Sequence, residues 1–478
     1  MAEIKCPLRE AAQVSGKELA LVQGEYEVLY SELDMMVTST AARLSTLGCT
    51  PGERVALFMN TEWRMVVLIL ALNRIGVLVC PLSTRLPAEG LRQRMLDLNA
   101  NRLFARVQGP GLEKLADFEV INPDDIVAET VVSEVPVEEI RFDLAQPSTI
   151  LYTSGSTSEP KGVLHTIGNH YYSARGSNIA VRLRSRDRWL LSLPVYHVAG
   201  MAILQRCILN GATIVIPEGG ETWLAAAARY KVTHLSLVPA QLLEAIQDVA
   251  NAGWSESVKS ILLGGEATRP NLLRRARDRK LPIVLTYGLT ETAAQVTGVL
   301  PETPPEFRDT SGAVLKHREL RLAEDGEILV RGQTLFKGYV ESDELTLPLD
   351  EDGWFHTGDL GRMSGDYLSV TGRKDNMFIS GGENIQPEEI EEALCAIEDV
   401  ERAVVVPVPH EKFGQRPVAF VKTLTGASSF DQLACILEEH LPRFKVPDRF
   451  FDWPDSEAAA TKVDRAHFRQ LAEMAAGD

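Results

Sequence analysis

The stretch Tyr152–Gly162, YTSGSTSEPKG, carries more information about the fold than any other part of this 478-residue sequence. An apolar strand over Thr149–Tyr152 leads into a loop of hydroxyl residues and glycine, which ends at Pro160-Lys161-Gly162. Small residues allow backbone N–H groups to turn inward around an anion. The pattern predicts a phosphate-binding loop that uses Thr153, Ser154, Gly155, Ser156, Thr157 and Lys161. The simpler alternative is a solvated Ser/Thr/Gly surface loop.

Short buried strands alternate with helices on both sides of this loop. Before it, Arg54–Met59 reads as a strand, residues 64–75 as a helix and Gly76–Cys80 as the next strand. After it, the strand-like runs Ala212–Ile216 and Thr233–Val238 flank an Ala-rich helical stretch. This alternation predicts an α/β fold with mostly parallel strands.

The composition changes after about residue 300. Turn signals between short strands, such as Glu324-Asp325-Gly326 and Ser364-Gly365-Asp366, predict a β-rich subdomain near residues 300–373. A last unit begins near Arg373, where Pro387 opens a helix with acidic residues in its first turn. Strands and further helices follow, which predicts a small α+β domain of about 100 residues.

Charge and composition exclude several kinds of protein. The net charge of −17 argues against sequence-independent nucleic-acid binding, which depends on neutralising phosphates. No apolar run approaches the roughly 20 residues that a membrane-spanning helix needs, and the first ten residues do not resemble a secretory signal. The six cysteines have no paired spacing, so free thiols in a reducing cytoplasm are expected.

Six further segments occur in a fixed order along the chain. They are Pro194-Val195-Tyr196-His197 with Gly200, Gly264-Gly265-Glu266, Tyr287-Gly288-Leu289-Thr290-Glu291, His356-Thr357-Gly358-Asp359, Gly372-Arg373-Lys374-Asp375 with Ser380-Gly381-Gly382-Glu383-Asn384, and Thr461-Lys462-Val463-Asp464-Arg465. Together with the loop they resemble the motifs of the adenylate-forming enzymes, a family of acyl-CoA synthetases, peptide-synthetase adenylation domains and luciferases. One such segment could arise by chance, but the order of all of them over nearly the whole chain is specific.

The resemblance implies a two-step reaction and a division of the chain. A carboxylate is joined to AMP with release of pyrophosphate, and the acyl group then passes to a thiol. The implied domains are an N-terminal AMP-binding and acyl-substrate domain, residues 1–373, with mixed, mostly parallel sheets sandwiched by helices, and a mobile C-terminal lid, residues 374–478. Asp375 would be the hinge, and rotation about it would exchange Lys462 for the Ser380–Asn384 strand, whose Gly381 and Gly382 would admit a pantetheine arm.

The resemblance also implies roles for single residues. ATP, Mg²⁺ and coenzyme A are the implied cofactors and co-substrates. The implied catalytic set is Lys462, Thr153, Glu291 and His197; Glu291 and Thr157 would serve Mg²⁺; Gly264, Gly265, Glu266, Tyr287, Gly288 and Thr290 would line the adenine side; and Asp359 and Arg373 would hold the ribose or phosphates. Positive charge at this site is physically required, because two anions must meet.

Each of these residues also has a simpler interpretation. Glu291 could be an acid at a helix start, Tyr287 a core aromatic, and Asp359 and Arg373 surface charges. Lys462 could be an ordinary solvated lysine, so its role depends on the resemblance. His197 is not needed as a base, because a carboxylate is already ionised near neutral pH; it is expected to line or gate the pocket, or else to be a core histidine.

Two segments indicate the acid substrate. His165–Asn178 and Trp189–Pro217 resemble the o-succinylbenzoate–CoA ligases of menaquinone biosynthesis, a branch of this family. That acid is an aromatic dicarboxylate, so its second carboxylate needs a donor. Arg206 is the candidate, with Gln205 or Asn169 helping; the alternative for Arg206 is a capping or pairing role on the far side of a helix.

Other functions stay open at this point. A ligase for another acyl or aryl acid has the same motifs, and a homo-oligomer is possible. Ser158 and Thr461 stand where the family usually has glycine, which keeps a non-catalytic nucleotide-binding paralogue in view. A luciferase-like oxygenase is disfavoured by the resemblance to the quinone pathway.

Overall fold

The computed structural model describes residues 2–106, 112–127, 139–153, 160–248, 254, 256–266, 268, 270–454, 457 and 463–476. Strands and helices occur along the whole length of these residues, joined by turns and loops. No helix among them is both long and apolar enough to cross a membrane.

The strands fall into two large sheets and three small ones. In chain order they are β1 (Glu3–Lys5), β2 (Leu19–Gln23), β3 (Tyr26–Leu29), β4 (Arg54–Phe58), β5 (Leu78–Pro81), β6 (Arg102–Ala105), β7 (Glu119–Ile121), β8 (Arg141–Asp143), β9 (Pro147–Tyr152), β10 (Gly162–Thr166), β11 (Arg188–Leu190), β12 (Thr213–Ile216), β13 (His234–Leu237), β14 (Ser260–Leu263), β15 (Ile283–Leu289), β16 (Ala294–Gly298), β17 (Gly312–Val314), β18 (Arg318–Leu322), β19 (Glu327–Gly332), β20 (Gly338–Glu341), β21 (Glu344–Thr346), β22 (Phe355–Ser364), β23 (Tyr367–Arg373), β24 (Phe378–Ser380), β25 (Glu383–Ile385), β26 (Val400–His410), β27 (Gly414–Thr423) and β28 (Arg449–Asp452).

The α-helices connect and cover these strands. They are α1 (Pro7–Ser15), α2 (Tyr30–Thr46), α3 (Trp63–Arg74), α4 (Ala88–Asp97), α5 (Pro123–Ile126), α6 (Ile167–Val181), α7 (Val198–Asn210), α8 (Trp223–Arg229), α9 (Pro239–Asp248), α10 (Pro270–Asp278), α11 (Pro387–Ala396), α12 (Phe430–His440) and α13 (Arg465–Ala476).

Both large sheets have parallel strands at the centre and antiparallel strands toward an edge. The eight-stranded sheet has the order β21-β20-β10-β9-β5-β4-β6-β7, and it is parallel from β9 through β7. The thirteen-stranded sheet has the order β18-β19-β22-β23-β17-β16-β15-β14-β13-β11-β12-β2-β3, and it is parallel from β15 through β2. Parallel strands need crossover connections, which the helices provide.

Helices fill the space between the sheets and cover their outer faces. One core cluster joins α2, α3 and α7 to β4 and β5 on one side and to β11 and β12 on the other. Alternate residues of the same strands face α4 outside the eight-stranded sheet, and α8, α9 and α10 outside the thirteen-stranded sheet. This five-layer packing buries both faces of each parallel region, as such regions require. The predicted α/β architecture with sandwiched sheets is therefore confirmed.

The C-terminal region has its own core. Strands β26, β27 and β28 form a three-stranded sheet, with α11 and α12 packed on one face and α13 on the other. A direct hydrogen bond joins this region to α10, from Asn271 Nδ2 to the Val400 carbonyl oxygen at 3.2 Å. The last strand of the large sheet, β23, ends at Arg373, one residue before the lid predicted to begin at residue 374.

The predicted strand over Ser380–Asn384 is instead a tight hairpin between β24 and β25. Gly381 and Gly382 form its turn with φ values of 60° and 91°. These left-handed values suit glycine, and they reverse the chain where a continuous strand was expected.

Helix α7 depends on a glycine at its start. A Cβ atom at Gly200 would lie under 3.0 Å from the carbonyl oxygens of Leu193 and Pro194, which are backbone atoms that have little freedom to move. The absence of a side chain at Gly200 therefore sets how closely the 193–197 turn packs against the helix that carries Arg206.

We expect Gly200→Ala to lower the free energy of unfolding by about 1–3 kcal/mol, because the added methyl group overpacks this turn. A glycine-to-alanine change inside an unhindered helix would instead stabilise by about 1 kcal/mol. Thermal unfolding measures the difference, with Gly219→Ala as the control, since no atom lies within 4 Å of a Cβ placed there. A stabilised Gly200→Ala protein would contradict the packing described.

Candidate functional site

The base of the predicted phosphate loop is a closed hairpin. Strands β9 and β10 pair antiparallel, and two hydrogen bonds close the loop end: Thr153 N–H donates to the Lys161 carbonyl oxygen at 3.0 Å, and Lys161 N–H donates to Thr153 Oγ1 at 3.1 Å. The predicted residues Ser154, Gly155, Ser156 and Thr157 lie outside the described residues, as do Ser158, Thr461 and Lys462.

A tyrosine brings two of the predicted residues together. The ammonium of Lys161 lies 4.9 Å from the ring centroid of Tyr339, whose hydroxyl donates to a carboxylate oxygen of Glu291 at 2.7 Å. Burial, and then the charge of Glu291, raise the pKa of Tyr339, so its hydroxyl stays protonated and acts as a donor. The cation of the phosphate loop and the proposed metal ligand therefore share one site.

A hydrogen bond from His165 holds the segment that carries Glu291. Thr290–Thr292 form a single 3-10 turn, and the Nε2–H of His165 donates to the Thr290 carbonyl oxygen at 2.7 Å. Burial lowers the pKa of His165 to about 4, so the imidazole is neutral at physiological pH. Since His165 is in β10, this bond ties the far end of the phosphate-loop hairpin to the Glu291 turn.

These residues fit a magnesium ion that is held mainly by substrate. Among the described residues no group of three His, Cys, Asp or Glu side chains could hold a metal ion. Mg²⁺ commonly binds through one or two carboxylates plus substrate phosphates and water. Glu291, with one oxygen bound to Tyr339 and the phosphate-loop lysine nearby, is consistent with that arrangement.

The residues predicted to line the adenine lie in, or directly after, two adjacent parallel strands. Gly264, Gly265 and Glu266 come directly after β14, and Tyr287 lies in β15 beside it. At Gly288 a Cβ atom would collide with the backbone of Ala294 across the β15–β16 bulge. A glycine is needed there because the two strands approach each other closely.

Tyr287, Asp359 and Arg373 form a continuous hydrogen-bonded chain. The hydroxyl of Tyr287 donates to Asp359 Oδ2 at 2.7 Å, and the guanidinium of Arg373 donates to Asp359 Oδ1 at 3.0 Å. Asp359 is 6% exposed and pairs across β22 and β23 with Arg373. Burial raises the pKa of Asp359 more than the charge of Arg373 lowers it. The pKa of Tyr287 is also raised, by burial and then by the charge of Asp359.

The predicted hinge follows this chain without a break. The second terminal nitrogen of Arg373 binds Asp375 at 3.0 Å, while Lys374 pairs with Asp325 and Glu327 at 2.6 and 3.0 Å. On the other side, Gln386 Nε2 donates to the Arg373 carbonyl oxygen at 3.0 Å. Arg373 therefore connects the buried Asp359 to both sides of the segment where the two regions meet.

The segment after Lys462 is anchored on helix α11. Arg465 lies three residues beyond Lys462, and its guanidinium donates to Glu391 at 2.6 and 2.8 Å and to Glu388 at 3.3 Å. Glu388 also accepts from Asn376 and Gln386 beside the hinge. The hinge and the start of α13 are thus bound to the same helix.

Arg206 is fully buried, with 1% of its surface exposed. One terminal nitrogen donates to Gln295 Oε1 at 2.9 Å, and the guanidinium carbon lies 5.2 Å from the ring centroid of Trp189. Its Nε has no hydrogen-bond partner, and no carboxylate within ion-pair distance occurs among the described residues. Burial lowers the pKa of Arg206 to about 10, which still leaves the group charged at neutral pH.

Gln295 connects this arginine to the adenine-side strand. Its Oε1 accepts from Arg206 and from Ser177, and its Nε2 donates to Thr286 Oγ1 at 2.9 Å, one residue before Tyr287. The buried cation and the predicted nucleotide site therefore lie on opposite sides of one hydrogen-bonded glutamine.

The structure does not bring the other proposed substrate residues to Arg206. Both amide hydrogens of Asn169 are used in holding the carbonyl oxygens of Gln333 and Leu335, at 2.9 and 2.8 Å. Gln205 faces a cavity of about 50 Å³ between α1, α6 and α7, on a different side of the helix. His197 is exposed at the N-terminal end of α7, with its ring 4.7 Å from that of Tyr196.

Two family models match the chain. The model of the AMP-binding enzyme matches residues 8–340, and that of the AMP-binding enzyme C-terminal domain matches residues 389–456. The chain belongs to the AMP-binding enzyme family. The resemblance drawn from the ordered motifs is confirmed.

Two relatives of this AMP-binding enzyme are named for the same acid, written 2-succinylbenzoate or o-succinylbenzoate. A 2-succinylbenzoate–CoA ligase of Geobacillus sp. (strain WCH70) is 32% identical over 482 residues, with 97% of this chain and 96% of the relative covered. The o-succinylbenzoate CoA synthetase of Bacillus subtilis in complex with its acyl-adenylate intermediate superposes with a TM-score of 0.86 at 28% identity, covering 98% of this chain and 99% of that one. The same Bacillus subtilis enzyme with ATP and a magnesium ion superposes with a TM-score of 0.85 at 28% identity, covering 97% and 99%.

Sequence reasoning missed Tyr339 and Gln295 in this AMP-binding enzyme, and also Arg318, whose Nε donates to the Gln295 carbonyl oxygen at 2.6 Å. Tyr339 lies 48 residues from Glu291, and no local pattern distinguishes it from a core aromatic of β20. Gln295 lies four residues after Glu291. Its position on a strand close to this motif was the only signal in the sequence that could have identified it. Arg318 opens a strand whose neighbouring charges are exposed, so its burial could not be read from its spacing.

We expect Asp359→Asn to raise the dissociation constant for ATP about ten- to a hundredfold, because hydrogen bonds to a charged group contribute about 1.5–3 kcal/mol. Thermal stability should be unchanged or slightly higher. The pKa of Asp359 is raised in the folded chain, so its ionised form is less favourable there than in the unfolded chain at neutral pH.

Calorimetric titration with ATP and thermal unfolding measure the two effects. Asp366→Asn is the matched control, because Asp366 is an exposed residue at the turn of the same β22–β23 hairpin. Unchanged ATP affinity in Asp359→Asn would remove Asp359 from the nucleotide site.

Proposed function

We propose that this chain is a 2-succinylbenzoate–CoA ligase of menaquinone biosynthesis, acting in the cytoplasm. The observation that carries the choice of acid is the buried guanidinium of Arg206, which has no carboxylate partner among the described residues. A buried cation is costly unless it is paired. An aromatic acid with a second carboxylate supplies that partner, and the relatives named above share this substrate name.

In the first half-reaction, a carboxylate oxygen of the acid attacks the α-phosphorus of ATP. The bond from this phosphorus to the bridging oxygen breaks, and pyrophosphate leaves with the electron pair. Lys161 and the phosphate-loop hydroxyls would hold the leaving phosphates, and Lys462 would neutralise charge between the acid and the α-phosphate. Magnesium held by Glu291, with Thr157, would supply further charge neutralisation.

The nucleoside is oriented by the chain of residues that ends at the hinge. Tyr287 would lie against the adenine, and Asp359 would accept from the ribose hydroxyls, with Arg373 keeping its carboxylate in place. Bringing the two anions together in a fixed orientation is the main catalytic requirement. His197 has no proton to remove and would line the entrance to the pocket.

In the second half-reaction, the sulfur of coenzyme A attacks the acyl carbon. The bond between that carbon and the AMP oxygen breaks, the thiol proton goes to solvent, and AMP leaves. We propose that residues 374–478 rotate about Asp375 to place the Gly381-Gly382 hairpin at the site in exchange for Lys462. The exposed position of this hairpin supports this step, as does the exposure of Asp375 at the end of the segment that joins the two regions.

We expect Lys462→Ala to reduce adenylation by about 100-fold or more, because a charged group that acts on the transition state is lost. Thioester formation from preformed acyl-AMP should stay within about twofold of the native rate. The two half-reactions are measured separately by pyrophosphate release and by coenzyme A consumption. The control is Lys422→Ala, which removes a lysine of β27 paired with Glu401. Equal loss of both half-reactions would contradict the assignment of Lys462.

The acid is identified by pyrophosphate release with ATP, Mg²⁺ and coenzyme A. We expect kcat/KM for o-succinylbenzoate to exceed that for benzoate, acetate or a medium-chain fatty acid by at least about 100-fold, since a site with buried polar groups rejects acids that leave those groups unpaired. Turnover with a different acid alone would retain the chemistry and reject the substrate. No turnover with any acid would favour a non-catalytic nucleotide-binding paralogue.

A further inference from the structure

A second arginine is buried beside Arg206. Arg318 begins strand β18, and 7% of its surface is exposed. Its Nε donates to the backbone carbonyl oxygen of Gln295 at 2.6 Å. Its terminal nitrogens donate to the backbone carbonyl oxygens of Lys316 and Ser173 and to the Ser173 hydroxyl. All three partners are neutral, so these bonds orient the guanidinium without neutralising its charge.

The fold makes room for this side chain. A Cβ atom at Gly176, in the middle of α6, would collide with a terminal nitrogen of Arg318 and with the Lys316 carbonyl oxygen. Glycine in a helix interior is less favourable than alanine. The guanidinium of Arg318 therefore fits against α6 only because residue 176 is glycine.

The two guanidiniums act on the same glutamine and on each other. Arg206 binds the side chain of Gln295, while Arg318 binds its backbone. Burial, and then the charge of Arg206, lower the pKa of Arg318 to about 9. As with Arg206, no carboxylate within ion-pair distance of Arg318 occurs in the part of the chain that the structure describes.

Two buried like charges near one glutamine are unfavourable unless an anion approaches them. The protein as a whole carries a net charge of −17, so this positive pair is local and not part of a general basic surface. A ligand with one carboxylate at the reacting end has no charge left for this pair. A ligand with a second carboxylate does.

We infer that Arg318 is a specificity-determining, positioning residue of the acyl site. It fixes Gln295 and thereby Arg206, and its own charge makes the site prefer an acid that carries a second carboxylate beyond the reacting one. This inference rests on the proposed ligase function and goes beyond it, because it assigns the preference to a residue that need not contact the substrate.

The test compares two acids with the same reacting end. They are o-succinylbenzoate and 3-benzoylpropionate, which lacks the ring carboxylate, each assayed for kcat and KM by pyrophosphate release. In Arg318→Met we expect the preference for the dicarboxylic acid to fall about tenfold or more, through a higher KM for that acid, with the KM for ATP and for 3-benzoylpropionate unchanged within about twofold. Arg318→Lys should retain most of the preference, since it retains the charge.

Two further variants separate charge from folding. Arg321→Met is the matched control, because Arg321 is an exposed arginine of the same strand. Gly176→Ala keeps the charge of Arg318 but displaces it, and a partial loss of preference is expected. If Arg318→Met does not fold, the preference for the dicarboxylic acid is measured in Gly176→Ala and Arg318→Lys instead.

The outcomes are distinct. An unchanged preference in Arg318→Met, or an equal rise of KM for both acids, would overturn the inference and leave only a structural role. If the unaltered protein itself shows no preference for the dicarboxylic acid, the proposed substrate fails before the role of Arg318 is tested.

Discussion

The charge of Arg206, buried with no carboxylate partner among the described residues, is the constraint on which the proposed acyl site depends. Helix α7 places the guanidinium in the layer between the two large sheets, where water does not stabilise it. Trp189 and Gln295 orient it without neutralising its charge. A buried charge of this kind is tolerated where a bound anion neutralises it. The protein then favours ligands that carry such an anion.

A second network connects the proposed nucleotide site to the proposed lid. Tyr287 and Arg373 bind the two oxygens of Asp359, and Arg373 also binds Asp375. A ligand that contacts Asp359 would therefore affect Arg373, which binds both Asp359 and the predicted hinge residue Asp375. This arrangement gives a physical route by which nucleotide occupancy can bias the orientation of residues 374–478, since a ligand shifts an equilibrium only through groups that it contacts differently in the two states.

The sequence predicts elements well where local pattern decides them. The start of α11 at Pro387 agrees with expectation to the residue, and the strands predicted over Ala212–Ile216 and Thr233–Val238 agree within one residue at each end, because buried runs and helix-start signals are local. The Ser380–Asn384 segment was expected to be a strand and is a hairpin, since its two glycines adopt positive φ. Within the site, Glu291, Asp359 and Arg373 could be proposed from their motifs. Tyr339, Gln295 and Arg318 could not, because each acts through a partner distant in sequence, as Arg318 does through Ser173.

The proposed specificity requires that the second carboxylate of the acid neutralise the buried cation of Arg206. It is tested most directly by calorimetric binding of two stable sulfamoyl analogues of the acyl-adenylate, one with and one without the ring carboxylate of o-succinylbenzoate. We expect the carboxylate to tighten binding by at least about tenfold, or about 1.4 kcal/mol. Dissociation constants equal within about twofold would contradict it, because Arg206 would then gain nothing from the charge that the acid carries.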